Sequence, residues 1–499
     1  MDIYDLLVVG GGINGVGIAR DAAGRGLRVV LAEQGDLASA TSSASSKLIH
    51  GGLRYLEQLE LRLVHEALAE REVLLCAAPH IVRPMRFVMP QVRGLRPGWM
   101  IRSGLFIYDW LARRQTLAAS TAVDLAAPPY SAGLRPEYSK GYAYSDCWVD
   151  DARLVIANAR AAHELGARIL PRTRCAAAER SGAHWKARLR NAAGETEIGT
   201  RALVNAAGPW AGEFLAQTLG EPARLRMRLV QGSHIVVPRL YDGDHAFILQ
   251  NDDRRVVFVY PYESAYTLIG TTDVELEGEP RACSATPAEI EYLCRAANRY
   301  FSRQLTPSDA QWSYCGVRAL IDDGSRSPAE LSRDYLLRVD AGVGLAPLLS
   351  IFGGKITTYR RLAERALEKL APWFPQLGKP WTAEASLPGG ELARGNIDAC
   401  VEDLAARYGE LPRALIRGLV SRHGSHAARV LGAAHSIADL GEHFGAGLYA
   451  REIDYFVTHE WAREADDVLW RRTKAGLHLS PEARARVGAY LAARHAAAV

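Results

Sequence analysis

Three cations far apart in the chain stand beside glycines. Arg54 follows Gly51-Gly52-Leu53, Arg318 follows Gly316-Val317, and Lys355 follows Gly353-Gly354 directly. Glycine lets the backbone come close to a ligand, and a guanidinium grips two oxygens of a phosphate at once. If the fold made these three converge, they would clamp a dianion such as a phosphomonoester. The chain has 60 Lys+Arg, most of which only need solvent. His234, in Gly232-Ser233-His234-Ile235-Val236-Val237, is the side chain suited to take a hydroxyl proton while hydride leaves carbon. A strand histidine is also commonly a satisfied structural hydrogen-bonder. Thr271 and Thr272, after Gly270, suit substrate hydroxyls or a turn.

Positioning such groups falls to the elements around them. Residues 6–9 carry an apolar strand signal, and Gly10-x-Gly12-x-x-Gly15 follows at once. A helical pattern covers 13–23, Gly24 and Gly26 break it, and a second apolar strand over 27–32 ends on Glu33. The glycines serve a tight turn, backbone approach to a pyrophosphate and close helix–strand packing. The helix N-terminus offers free N–H groups and a positive dipole end. Glu33 lies roughly 20 residues on, where an acid holds ribose hydroxyls. The pattern predicts a bound dinucleotide and leaves NAD and FAD open. Two further strand–glycine–helix corners are predicted, at Gly208 after the strand 201–207 and at Gly353-Gly354-Lys355-Ile356-Thr357-Thr358 after the strand 345–352. The small, polar stretch 37–47 suits a loop that brings hydroxyls and N–H groups to a ligand, or a surface loop.

At 499 residues the chain should divide into two or three domains, and 48% hydrophobic with 23% charged residues is globular composition. A net charge of +4 without a basic block argues against nucleic acid. The seven cysteines are odd in number and form no C-x-x-C pair, so reduced thiols are expected and neither a disulfide framework nor a metal site. Acidic Asp2 and Asp5 argue against a signal peptide. No 18-residue apolar window is present, so membrane attachment would be peripheral. G-x-S-x-G, H-E-x-x-H and a complete P-loop are absent, which excludes the corresponding hydrolases and ATPases.

A long helix over 59–78 reads as structural. From 228 to 272 the period becomes that of strands without room for crossover helices, predicting an antiparallel sheet in a separate domain. A helix over 287–301 and a strand over 312–320 follow. Residues 372–388 read as a linker, and 397–498 as almost wholly helical. The segment 96–114 places Ile101, Leu105, Tyr108 and Leu111 on one stripe while Trp99, Phe106 and Trp110 project elsewhere. A helix wedged between domains is the first expectation and one lying in a bilayer interface the second.

Ala40-Thr41-Ser42-Ser43-Ala44-Ser45-Ser46-Lys47-Leu48-Ile49-His50-Gly51-Gly52-Leu53-Arg54-Tyr55-Leu56 closely resembles the aerobic bacterial FAD-dependent glycerol-3-phosphate dehydrogenases. The likeness continues through Tyr144-Ser145-Asp146-Cys147-Trp148-Val149-Asp150-Asp151, Gly232-Ser233-His234, Ile269-Gly270-Thr271-Thr272-Asp273, Phe352-Gly353-Gly354-Lys355 and Asp466-Asp467-Val468-Leu469-Trp470-Arg471-Arg472-Thr473-Lys474. One departure is Ala319, where that family usually has proline after the arginine.

The resemblance implies an α/β plus α fold. It comprises a glutathione-reductase-type FAD-binding domain (1–75, 142–225, 337–372), an antiparallel-sheet substrate domain (76–141, 226–336) and a helical C-terminal cap (385–499). Gly10, Gly12, Ile13, Asn14, Gly15 and Glu33 would hold non-covalent FAD. So would Thr41, Ser42, Ser46, Lys47, Leu48 and His50 from the loop, Ala207, Gly208 and Trp210, and Gly353, Gly354, Lys355, Ile356 and Thr357. His50 is also a conceivable attachment point. Arg54 and Arg318 would hold the phosphate of glycerol 3-phosphate, with Tyr55, Thr271 and Lys355 lining the pocket and His234 near the C2 hydroxyl. Arg54, Arg318, Lys355 and His234 are the expected catalytic set. Hydride from C2 would pass to flavin N5, giving dihydroxyacetone phosphate, and electrons would go on to membrane quinone. A cytoplasmic homodimer attached to the inner face of the cell membrane through 96–114 is expected. An oxidase using O2, an amine or amino-acid oxidase and a non-catalytic flavoprotein are the alternatives.

Overall fold

The computed structural model describes residues 2–92, 94–220, 227–253, 255–280, 283–322, 334–392 and 395–496. Its first sheet grows from the strand Ile3–Val9, paired in parallel with Val29–Ala32 on one side and Gly194–Asn205 on the other. Arg168–Leu170 and Leu348–Gly353 extend it in parallel, and Tyr335–Asp340 closes one edge antiparallel. A parallel sheet is covered on both faces, so its strands read as apolar runs rather than alternations. Leu6 and Val8 face the helices Ile13–Gly24, Asp151–Glu164 and Tyr359–Leu370, packing with Val16, Ala19, Val155 and Leu362. Leu7 and Val9 face the other way, onto Trp185, Leu189 and Phe214. Trp185 and Leu189 come from an antiparallel pair, His184–Asn191 with Arg174–Ser181, hung on the edge of Gly194–Asn205.

The second sheet runs Val274–Glu275, Met227–Pro238, Tyr266–Gly270, Val256–Tyr262, Ala246–Gln250, Val82–Pro90, Lys140–Val149 and Leu48–Ile49, with Trp312–Ile321 added to Met227–Pro238. It is not purely antiparallel. Ala246–Gln250 runs parallel to Val82–Pro90, because the latter enters from a remote part of the chain rather than through a hairpin. Residue 142 lies inside the strand Lys140–Val149, which belongs to this sheet.

The expected linker is instead a packed strap. Phe374 and Leu387 are buried, the Arg20 guanidinium lies 5.0 Å from the Trp381 ring centroid, and Trp381 Nε1 donates to the Asp21 carbonyl at 3.3 Å. The strap's Pro- and Trp-rich composition suggested a linker, but its aromatics supply the area that pins it down. Beyond it, the helices Ile397–Arg407, Arg413–His423, Ala450–Glu460 and Pro481–Ala496 enclose their own core, interrupted by a small hairpin of His443–Gly445 and Leu448–Tyr449.

The C-terminal unit docks through buried charge. Arg153 donates from Nη2 to Glu460 Oε1 at 3.0 Å and from Nε to the Arg422 carbonyl at 3.2 Å. Burial opposes ionisation of Glu460, but Arg153 outweighs it and brings the carboxyl to about 2. His80 and His426, buried at the same seam, are pushed down from 6.5 to about 3 and about 4 by burial and neighbouring arginine charge.

Both effects make acid unfavourable to docking. Below pH 6.5 the unfolded chain takes up histidine protons that the folded chain refuses. Between about 4.5 and about 2 the ionised Glu460 is lost as well. Calorimetry should therefore show a Tm that falls steadily as pH is lowered from 6.5 to 4. A Tm constant over that interval would contradict the assignment.

Candidate active site

The carboxyl ends of the parallel strands face the second sheet across a cleft of about 2290 Å³. That is more than twice the roughly 300–1,000 Å³ of an ordinary small-molecule site, and ligands of open α/β sheets bind at this end. All three glycine corners open onto it: Gly10, Gly12, Ile13 and Asn14; Ala207, Gly208 and Trp210; and Gly353, Gly354, Lys355, Ile356 and Thr357.

The first corner needs its glycines. Gly10 has φ +116°, and a Cβ there would lie 2.4 Å from the Ala206 carbonyl oxygen. A Cβ on Gly15 would lie 1.9 Å from the Gly10 oxygen, so Gly15 allows the helix to meet the turn and does not itself line the cleft. Gly12 begins the helix Ile13–Gly24 without a side-chain cap or an acid in the first turn, which leaves the positive helix end for an anion. Ile13 N donates to Ser42 Oγ at 3.0 Å, and Asn14 Oδ1 is buried with no partner among the described residues. Glu33 lines the cleft and shapes the turn, accepting from Gly11 N at 2.6 Å and Gly35 N at 2.7 Å. These groups fit a dinucleotide pyrophosphate and ribose.

The loop after Glu33 contributes Thr41, Ser42, Ser46, Leu48 and His50 to the lining. His50 is pushed down to about 3 by burial and by the Lys355 charge. Lys47 is different: its ammonium turns inward to Asp151 Oδ1 at 2.8 Å and the Ser43 carbonyl at 2.9 Å, and does not reach the cleft. It braces the loop from behind.

Arg54, Tyr55, Thr271, Arg318 and Lys355 share this cleft. Arg54 and Tyr55 sit on the short helical turn Leu53–Leu56, begun by Gly52 at φ +81°. Lys355 Nζ lies 3.7 Å from the Tyr55 ring centroid. Arg318 donates from Nη1 to Asp273 Oδ1 at 2.5 Å and from Nη2 to Thr271 Oγ1 at 3.2 Å. It lies over Gly232, where a Cβ would come within 2.5 Å of Nη2. Asp273 also lines the cleft and was missed as a site residue, although it directly follows Thr271-Thr272.

His234 does not line the cleft. Its ring is buried and stacked on Tyr314 at 4.7 Å, and Nε2 is 2.9 Å from Ser46 Oγ, which does. Burial, then the Arg318 and Lys47 charges, hold it well below its ordinary pKa and therefore neutral. The register Val230↔Arg318 and His234↔Tyr314 puts His234 on the same face of the sheet as Arg318, where Tyr314 covers its ring and Ser46 stands between Nε2 and the cleft.

Two expectations are corrected here. Cys283 and Cys315 form a disulfide, with Cα atoms 6.0 Å apart on the cleft wall. A separation of 32 residues carried no signal, and the fold brings the loop at Cys283 to the strand Trp312–Ile321 that carries Cys315. The helix Gly98–Trp110 buries Ile101, Leu105 and Tyr108, but Trp99, Phe106 and Trp110 are 73%, 63% and 74% exposed, so they are not wedged against another domain. Its Met100, Ser103, Gly104 and Ile107 border the cleft.

Residues 5–360 match the family of FAD dependent oxidoreductases, and 380–495 match the C-terminal domain of alpha-glycerophosphate oxidase. Over 495 residues the chain is 54% identical to the glycerol-3-phosphate dehydrogenase of Pseudomonas aeruginosa, covering 99% of this chain and 96% of that one. It is 49% identical over 483 residues to the D-erythritol 1-phosphate dehydrogenase of Brucella abortus, covering 96% of each. It is similar to the solved glycerol-3-phosphate dehydrogenase from Bacillus halodurans complexed with FAD, with TM-score 0.73, 26% identity and coverage of 98% and 94%. The expected fold, an FAD-binding domain with a substrate sheet and a mainly helical C-terminal domain, holds. The dinucleotide is FAD.

Replacing Gly15 by Val would drive a side chain into the Gly10 carbonyl. FAD per purified chain, read from flavin absorbance, should drop below roughly a tenth of wild type while circular dichroism still reports folded protein. Full occupancy would show that the fingerprint is not the pyrophosphate cradle.

Proposed function

Because this chain belongs to the FAD-dependent glycerol-3-phosphate dehydrogenase family, we propose that it oxidises sn-glycerol 3-phosphate to dihydroxyacetone phosphate and passes the electrons to membrane quinone. The observation that carries the reading is the presence of Arg54, Arg318 and Lys355 on the cleft that the three glycine corners border. Arg318 and Arg54 hold the phosphate, and Lys355, steadied by the Tyr55 ring, adds a third positive charge. Thr271 takes a substrate hydroxyl.

Bound FAD supplies a two-electron acceptor for the hydride on C2. The protein handles the proton. Ser46 Oγ is the cleft-side group, and the C2 hydroxyl proton passes to it as its own proton moves to His234 Nε2. His234, held neutral, starts the cycle able to accept. Stacking on Tyr314 and burial keep bulk water from that nitrogen.

The helix Gly98–Trp110 supports a peripheral seat on the inner face of the cell membrane. Trp99, Phe106 and Trp110 provide apolar surface, Arg102 and Arg113 are exposed beside them, and no helix among the described residues is long and apolar enough to cross a bilayer. Met100 and Ile107 on the same helix border the cleft, offering quinone an apolar approach from the lipid.

A longer polyol phosphate would meet the same clamp, and the relative from Brucella abortus is named for one. Comparing kcat/KM for glycerol 3-phosphate and D-erythritol 1-phosphate decides which chain length the cleft prefers. In Arg318→Ala, kcat/KM for the substrate should fall about 30-fold or more, the lower end of the roughly 2–5 kcal/mol lost when a charge pair is truncated. An unchanged KM would remove the phosphate assignment. The double variant Trp99→Asp/Trp110→Asp should bind anionic liposomes at least about tenfold more weakly in co-sedimentation while keeping its activity toward a soluble quinone. Undiminished binding would place the membrane contact elsewhere.

A further inference from the structure

Glu289 lies outside the cleft, in the first turn of the helix Pro287–Asn298, where it completes a capping box with Thr286. A capping glutamate is usually exposed and occupied by its own helix end. Glu289 is buried, and most of its hydrogen bonds go elsewhere. Its Oε1 accepts from Thr272 Oγ1 at 2.6 Å and Ser233 Oγ at 2.8 Å, and its Oε2 accepts from Gln231 Nε2 at 2.7 Å as well as from Thr286 N at 3.0 Å. Thr272 Oγ1 accepts in turn from Ser233 N at 2.8 Å, closing a ring of bonds between the strand Met227–Pro238 and the connection 271–273.

The residues so tied are the immediate neighbours of the site. Gly232 and Thr271 are in contact with the Arg318 guanidinium, and Asp273 pairs with it. Gln231 and Ser233 flank Gly232, Thr272 stands between Thr271 and Asp273, and Ser233 precedes His234. Burial would raise the Glu289 pKa, but the Thr272, Thr286 and Ser233 hydrogen bonds outweigh it, so the group is an anion with its oxygens engaged.

We propose that Glu289 is a positioning residue for phosphate recognition: it clamps segments 231–233 and 271–273 together and so fixes the bed in which Arg318 lies. The proposal rests on the reading of Arg318 as a phosphate ligand. Without the clamp, Arg318 keeps its charge but loses the fixed direction of its fork, so substrate affinity suffers more than the chemical step.

The test is made on the full-length, FAD-loaded protein. Glu289→Gln, of equal size, and Thr272→Val, which removes the shared hydroxyl, should each raise KM for glycerol 3-phosphate about tenfold with kcat changed less than about twofold. The inhibition constant of inorganic phosphate should rise in parallel. The double variant should be no worse than the poorer single one, as expected for residues in one network, and Thr272→Ser should restore wild-type KM. Unchanged KM in Glu289→Gln and Thr272→Val, additive effects, or loss of kcat and KM together with FAD would each overturn the proposal. If Arg318→Ala itself leaves KM and phosphate inhibition untouched, the phosphate reading fails. If Arg318→Ala raises both and the clamp variants raise neither, only the role of Glu289 falls.

Discussion

Like charges brought to one cleft repel, and the surrounding structure has to hold them in place before any ligand arrives. Arg318 is kept by a carboxylate and a hydroxyl on one turn, those of Asp273 and Thr271. Lys355 rests on the face of Tyr55, and Arg54 is directed by a helical turn that only a left-handed glycine can begin. Arg54 and Arg318 are only half-buried, whereas the Lys355 Nζ is buried. Full burial of the two guanidinium groups would cost more in desolvation than the partners return, whereas partial exposure leaves positive potential for a dianion.

The same logic extends outward. Lys47 is driven into the interior, where Asp151 meets it, and Asp151 also accepts from Ser45 Oγ at 2.7 Å. Its neighbour Asp150 takes Lys474 from the C-terminal unit at 3.2 Å. The cleft loop and the C-terminal unit are therefore braced on consecutive acids at the start of one helix. Asp36 repeats the arrangement, held by Arg471 Nε at 2.6 Å and Arg472 Nη2 at 2.9 Å. Buried ion pairs of this kind add little net stability over apolar packing, but breaking one is expensive. They are suited to fixing how two units sit together.

Legibility followed the range of the interaction. The strand–glycine–helix corners were readable because each is a local event, in which apolar residues demand a strand and glycine permits the turn. The inner stripe of the helix Gly98–Trp110 was readable for the same reason, since a period of 3.6 marks a face. What lay opposite its outer aromatics was not readable: nothing in the segment says whether solvent, lipid or a domain meets Trp99 and Trp110. Residues 372–388 failed in the opposite direction: a Pro- and Trp-rich stretch suggested a linker, while Phe374 is buried in the core of the first domain and Trp381 packs against Arg20.

From the amino-acid order alone came the dinucleotide corner, the presence of a second sheet, the mainly helical C-terminal part and the set of cations, each written in residue types within a few positions of one another. Strand register and docking decided the rest. They put Arg318 over Gly232, covered His234 with Tyr314, sent Lys47 to Asp151, joined Cys283 to Cys315 and tied Glu289 to Thr272 and Ser233. A one-residue change of register reverses which side chains face a cavity. No local pattern encodes that choice, because it is made by the packing of segments that are far apart in the chain.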